Sequence, residues 1–325
     1  MTDFLIIGGG IAGVSAAARL SHLGSVVLLE AEPALAHHAS GRSAALYEPR
    51  YGLAPVVELS LASGDYFRST PNILSPRGMM ILGKAGEDAA FADDIASMEL
   101  PEVSVDEARA LVPILNPQVV KRAAKADHAW DIDTDLLLQG FAREARQNGA
   151  QLLTSARVTA IGKTATGWQL QTSAGDFAAT TLINAAGAWV DEVAKLAGVA
   201  PLGFQPNRRS MARIPAPAGL DVSGWPMMFG CGETWYAKPD AGALIAASHT
   251  ASLAGNREAY AALFARCGVA TVETPTELIE TLKILDNGGP LSGYRVASLS
   301  CSGGEASLVA DMSEATQLRF EPFPD

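Results

Sequence analysis

The sequence predicts an α/β fold: a Rossmann-like dinucleotide-binding domain with a second domain built on an antiparallel sheet. Three observations predict it. Residues 4–30 read strand, glycine turn, helix, strand. A strand at 180–183, Thr-Thr-Leu-Ile, runs into Asn184-Ala185-Ala186-Gly187. Residues 204–247 alternate in character between Pro and Gly turns.

The first strand is the short apolar run 4–7, bounded by glycine as a buried parallel strand is. Gly8-Gly9-Gly10-Ile11-Ala12-Gly13 follows, a G-x-G-x-x-G. Gly8 permits the tight turn, Gly10 lets backbone approach a diphosphate, and Gly13 lets helix and strand touch. A helix over 11–23 keeps Ala12, Ala16 and Leu20 on one face. Its free N–H groups and the positive end of its dipole favour an anion. The second strand, 25–29, ends in Glu30, where a ribose hydroxyl would be gripped about 20 residues after the glycines. An acid there does not separate NAD from FAD.

Residues 32–52 form a connection too long for an ordinary βα loop, and such loops lie along ligands. A helix over 53–67 and a strand over 78–83 follow. Ser104 and Glu107 make a capping box for a helix over 104–112. Thr134 or Asp133 caps a helix that stops at Asn148-Gly149. Short strands are expected at 151–154, 157–161, 168–172 and 176–179, then 180–183 and a helix over 189–196. The inserted β-meander and the small-residue strand end suit an FAD protein better than the plain βαβ repeats of an NAD dehydrogenase. The strands within 204–247, broken by Pro and Gly, suggest a substrate-side sheet.

Composition narrows the function. The chain has 325 residues, 48% of them hydrophobic, enough for about two domains. Its net charge of −11 and lack of a basic stripe argue against nucleic acid. Cys231, Cys267 and Cys301 form no C-x-x-C, which fits a reducing cytosol rather than a disulfide frame. The chain starts directly on a strand, so no signal peptide is expected, and a cytoplasmic location follows. No apolar run reaches the roughly 18 residues of a membrane span. The five histidines show no ligand spacing, so no metal is expected, and His37-His38 reads as a loop pair.

Seven segments together carry a resemblance: IIGGGIAGVSAAARL, VVLLE, SGRSAALYEPRYG, LSPRGMMIL, DIDTDLLLQG, LINAAGAWVDEVAKLAGVAPLGFQPNRRS and WYAKPDAG. Over roughly residues 1–248 the chain resembles the FAD-dependent D-amino acid oxidase/dehydrogenase superfamily, with the D-arginine dehydrogenases its nearest branch. The resemblance implies a Rossmann-like FAD-binding domain of the two-dinucleotide-binding kind and a second, antiparallel-sheet substrate domain. FAD-binding parts are expected at 1–77, 134–203 and 290–325, and substrate parts at 78–133 and 204–289. It also implies non-covalent FAD, oxidation of an amino acid's Cα–N bond, and an electron acceptor that is a quinone, oxygen or a carrier.

Carried over by position, Gly8, Gly10, Ile11, Ala12 and Gly13 would hold the diphosphate and Glu30 the ribose. Ser40, Gly41, Arg42, Ser43, Ala44 and Ala45 would run beside the flavin, and Val158 would meet the adenine. Ala186, Gly187 and Trp189 would sit near the diphosphate and ribityl chain. Tyr51 and Tyr236 match substrate-pocket tyrosines, and Arg209 an arginine near the substrate.

Two departures redirect specificity. Met79 stands where D-arginine dehydrogenases carry an acid, and Leu46 where they carry a histidine. A cationic side chain would lose a charge-assisted hydrogen bond of roughly 1.5–3 kcal/mol there. A neutral or apolar substrate side chain is therefore expected, beside Met79, Met227 and Phe229. Gly293-Tyr294-Arg295 stands for the family's G-x-R, making Arg295 a second carboxylate clamp. After it the family has a glycine-rich loop at the pyrimidine end of the flavin, whereas this chain offers only Ser302-Gly303-Gly304. Two alternatives stand beside a D-amino acid dehydrogenase: a truncated or catalytically impaired flavin-fold protein, and a sarcosine-, glycine- or proline-type amine oxidase.

Overall fold

The computed structural model describes residues 2–207, 210–217, 219–248, 295–296 and 319–320. The chain forms two compact units, Met1–Gly255 and Asn256–Asp325.

In the first unit β1 (Thr2–Ile7), α1 (Ile11–Leu20) and β2 (Val26–Leu29) are followed by β3 (Leu46–Tyr47) and α2 (Ala54–Ser69). Next come β4 (Leu74–Pro76), β5 (Met79–Lys84), α3 (Asp88–Ser97), β6 (Glu102–Val103), α4 (Val105–Leu111), β7 (Val120–Ala126) and β8 (Trp130–Ile132). Then α5 (Thr134–Gln147), β9 (Gln151–Leu153), β10 (Val158–Thr164), β11 (Gly167–Thr172), β12 (Gly175–Asn184) and α6 (Val190–Leu196). Finally β13 (Met211–Pro215), β14 (Met227–Gly230), β15 (Trp235–Asp240) and β16 (Ala243–Ser248). In the second unit β17 (Arg295–Val296) pairs in parallel with β18 (Arg319–Phe320).

A six-stranded sheet has the order β10-β11-β12-β1-β2-β9. Its β1, β2, β9 and the end of β12 run parallel, and β10, β11 and β12 form an antiparallel meander. Alternation assigns the faces. Phe4, Ile6, Val26 and Leu28 pack against Val14, Ala17 and Ala18 of α1 and Leu137, Leu138 and Phe141 of α5. Leu5, Ile7, Val27 and Leu29 pack on the other side with Leu170, Ala179 and Val193. Each such fully buried Leu or Ile contributes about 1.5–3 kcal/mol of transfer free energy.

A seven-stranded sheet has the order β13-β16-β15-β14-β5-β7-β6. It is antiparallel as expected except at β14 and β5, which pair in parallel. Met79 and Ile81 face one side with Met227, Phe229 and Tyr236. Met80 and Leu82 face the other with Met228, Trp235, Ala237 and Leu244. A small sheet, β3-β8-β4, completes the set.

The sequence expectations at 176–179 and 180–183 prove to be one ten-residue strand, β12. Its first half bonds antiparallel to β11 and its second half parallel to β1, so the change of partner mimics a change of element. The first helix ends at Leu20, three residues early, in a turn closed by Leu23 N–H on the Leu20 carbonyl.

Candidate functional site

The glycine turn is the tightest place in the six-stranded sheet. Gly8 has φ +114°, and a Cβ there would collide with the Ala185 carbonyl. A Cβ on Gly13 would collide with the Gly8 carbonyl oxygen. β1, the start of α1 and the end of β12 thus touch through backbone alone. Ala185 N–H donates to the Ile7 carbonyl at 2.9 Å, which draws the Asn184–Gly187 turn beside Gly8. Asn184 shapes that turn, accepting from Ala186 N–H at 3.2 Å and donating to the Val190 carbonyl at 2.7 Å.

Helix α1 begins after Gly10 with no side-chain cap and no acid in its first turn. Its leading N–H groups have no partner inside the helix. Ile11 and Ala12 are exposed there. The Ser40 hydroxyl accepts from Ile11 N–H at 2.9 Å. Glu30, just after β2, accepts from Gly9 N–H at 2.5 Å through Oε2 and from Glu32 N–H at 2.8 Å through Oε1. Ala156 N–H donates to the Glu30 carbonyl at 2.8 Å, which places Val158 close by on β10.

The loop after β2 folds back over this turn: Ala36 N–H reaches the Gly9 carbonyl at 3.0 Å, and Gly41 N–H the Ala36 carbonyl at 2.9 Å. His38 packs its ring 4.6 Å from that of Trp189. Glu32 Oε1 lies 3.2 Å from His38 Nε2, and this hydrogen bond holds its carboxyl below the usual range. His37 joins them, so the loop pair and Glu32 bring three metal-ligand atoms within 4.8 Å of one another. The Arg157 guanidinium shares the same Glu32 oxygen at 3.4 Å, which disfavours a second cation there.

From Ser40 the chain runs through exposed Gly41, Arg42 and Ser43 to half-buried Ala44 and Ala45. Ala44 and Leu46 pack against the apolar cluster of the seven-stranded sheet. The register sets Met79 beside Met227 and Phe229 beside Tyr236, whose rings lie 6.5 Å apart. Met79 is wholly buried, Met227 and Phe229 nearly so, and Tyr236 partly exposed. Met79 therefore packs in the sheet and fills its own space. Tyr236 Oη contacts Met211 Sδ at 3.7 Å. Tyr51 donates to Glu233 Oε2 at 2.6 Å, three residues before Tyr236. Segment 40–46 thus spans from the anion-favouring helix start to the apolar cluster.

The sequence reading of Arg209 lies outside the described residues, as do Ser302-Gly303-Gly304. Of Arg295 only the backbone, in β17, is described. Glu233, Asp131 and Lys238 were missed. Lys238 had a signal: alternation along β15 puts it on the face of Tyr236, an inward position for a charge. Glu233 had none, because its pairing with Tyr51 joins residues 182 apart in the chain.

The site fits a dinucleotide diphosphate. A glycine turn too tight for a Cβ at Gly8 and Gly13, first-turn N–H groups, the Ser40 hydroxyl and the Glu30 carboxylate make a suitable donor and acceptor set.

A family model described as DAO, FAD dependent oxidoreductase, matches residues 3–278. Among solved structures, glycine oxidase from Geobacillus kaustophilus superposes with a TM-score of 0.65 at 22% identity, covering 76% of this chain and 71% of that one. FAD-bound L-alpha-glycerophosphate oxidase from Mycoplasma pneumoniae gives 0.64 at 21%, covering 77% and 73%. Iminodiacetate oxidase from Chelativorans sp. BNC1 gives 0.60 at 20%, covering 87% and 78%. These likenesses establish the fold. Among curated proteins, the alpha subunit of ADP-forming acetate–CoA ligase II from Pyrococcus furiosus is 38% identical over 83 residues, 26% of this chain. The chain spans about a fifth of that relative's length, 18%.

Proposed function

Because the chain belongs to the DAO family of FAD-dependent oxidoreductases, we propose that it oxidises the Cα–N bond of an amino acid, a D-amino acid with a neutral or apolar side chain being favoured. The observation that carries this reading is the course of segment 40–46, from the start of α1 to the apolar cluster of Leu46, Met79, Met227, Phe229 and Tyr236. FAD, if bound here, would be held at its diphosphate by the start of α1 and flanked by this segment.

In this reading Gly8, Gly10, Ile11, Ala12, Gly13, Ala186, Gly187 and Trp189 surround the diphosphate and ribityl chain. Glu30 would hold ribose hydroxyls, Val158 would meet the adenine, and residues 40–45 would flank the ring. Arg209 would pair the substrate carboxylate, which a planar guanidinium suits. Tyr51, steadied by Glu233, and Tyr236 close the pocket against water. When bound, FAD supplies the acceptor for the hydride leaving Cα. The substrate must be a neutral amine, so that its nitrogen lone pair forms the C=N bond as the hydride leaves; water then releases a 2-oxo acid and ammonia. No side-chain base is required if the amine binds neutral. A quinone, oxygen or a carrier takes the electrons, in the cytoplasm. Among the described residues no helix is long and apolar enough to cross a membrane.

A second reading has its own support. Met79 and Met227 are buried, leaving their positions filled, which favours a compact substrate such as glycine, sarcosine or proline. Anaerobic mixing of the FAD-loaded protein with a panel of amino acids separates the two. Bleaching of the flavin band by D-leucine or D-methionine is the expected result. Bleaching only by glycine, sarcosine or proline favours the second. Bound FAD that no member bleaches identifies a catalytically impaired protein and overturns both.

A further inference from the structure

We propose that Lys238 is a positioning residue for the cofactor, acting through the Ala45 carbonyl to fix segment 43–46; this rests on the placement of FAD proposed above. Lys238 is 6% exposed, yet it carries a charge. Its ammonium donates to Asp131 Oδ1 at 2.7 Å and to the Ala45 carbonyl at 3.2 Å. The other Asp131 oxygen accepts from Arg77 Nε at 2.8 Å and Nη2 at 2.6 Å, and Arg77 Nη1 donates to the Ser223 and Trp225 carbonyls.

Two cations thus share one carboxylate, and backbone carbonyls supply the remaining acceptors. A buried ammonium is costly without such partners, and an apolar residue of the same volume is often as stable in its place. Packing alone does not account for a lysine here. Asp131 balances its charge, and the Ala45 carbonyl takes its remaining hydrogen bond. Ala45 holds φ 55°, a left-handed backbone that disfavours a side chain. Three hydrogen bonds fix it: its N–H to Ser43 Oγ at 3.0 Å, and its carbonyl to Ile132 N–H at 3.1 Å and to Lys238. The next residue, Leu46, pairs with Asp131 across β3 and β8. The same strand, β15, sends Tyr236 into the apolar cluster and Lys238 under the segment said to flank the flavin. Ring and pocket are therefore set by one element.

The test is FAD titration of the full-length apoprotein, read as dissociation constant and as the shape of the bound flavin's visible band. Lys238→Met is expected to weaken FAD about tenfold, the loss of one charge-assisted hydrogen bond, and to alter the band. Lys238→Arg keeps the charge but replaces a compact ammonium with a planar fork, so a smaller weakening with an altered band is expected in folded protein. If Lys238→Met does not fold, Lys238→Arg decides. Folded variants that bind FAD as wild type does, with an unchanged band, overturn this inference alone. Wild-type protein that takes up no FAD overturns the cofactor reading and this inference with it.

Discussion

Gly13 sits against the Gly8 carbonyl with no room for a methyl group. Gly13→Ala must push α1 off β1, at a cost of about 1–3 kcal/mol. Chemical denaturation of the apoprotein should show that loss, and FAD titration should show weaker binding. Cys231 is governed by burial instead, which pushes its thiol up to about 11. Only the thiolate reacts, so mass spectrometry after iodoacetamide at pH 8 should find Cys231 unlabelled in folded protein and labelled in denaturant. Glu48 is the third case. Burial is the main cause that raises its carboxyl, partly offset by Arg50 N–H at 2.9 Å and by His128, whose Nε2 lies 3.3 Å from Oε2. With the folded value above the unfolded one, this group's share of stability is present below the unfolded pKa and lost as pH rises through the folded pKa. Glu48→Gln should therefore melt higher than wild type at pH 7, with the gain gone near pH 4, about the unfolded carboxyl value. The glycines were legible in the sequence because their requirement is steric and local. The burial of Glu48 and the partners of Lys238 were not, because they come from segments far apart in the chain.

At the scale of elements, capping was the clearest signal. Ser104 and Glu107 form the expected box, with Glu107 N–H on Ser104 Oγ at 3.2 Å and Ser104 N–H on Glu107 Oε2 at 2.8 Å. Of the two residues proposed to cap the helix after 133, it is Asp133 that accepts, from Leu136 N–H at 2.8 Å. Asp133→Ala should cost about 1 kcal/mol by denaturant melts. α5 packs on α1 behind the glycine turn, so the loss belongs to the whole unit rather than to one helix end. Strands were harder. β7 reads VKRAAKA, with small and charged residues in place of a β-branched run, and it is built by pairing with β5 and β6. β3, β4 and β6 span two or three residues each, too short for any period to register. The parallel β14–β5 pair joins residues about 150 apart, and nothing local announces it.

At the scale of the molecule, two sheets share one connecting segment, 40–46. The six-stranded sheet ends in an anion-favouring turn, the seven-stranded sheet presents an apolar face, and segment 40–46 joins them. That division was legible because a parallel strand followed by glycines and a helix has few other uses. The second sheet was legible in its alternating, Pro- and Gly-broken composition but its register was not. Met79, expected to face a substrate, is packed in the sheet, because its strand alternates between two covered faces. The account stands on FAD held against the first turn of α1, and absorbance from 300 to 550 nm on the purified chain before and after added FAD tests it most directly. The expected result is a flavin spectrum that survives gel filtration and is lost in Gly13→Ala. A colourless protein that retains no added FAD would contradict it.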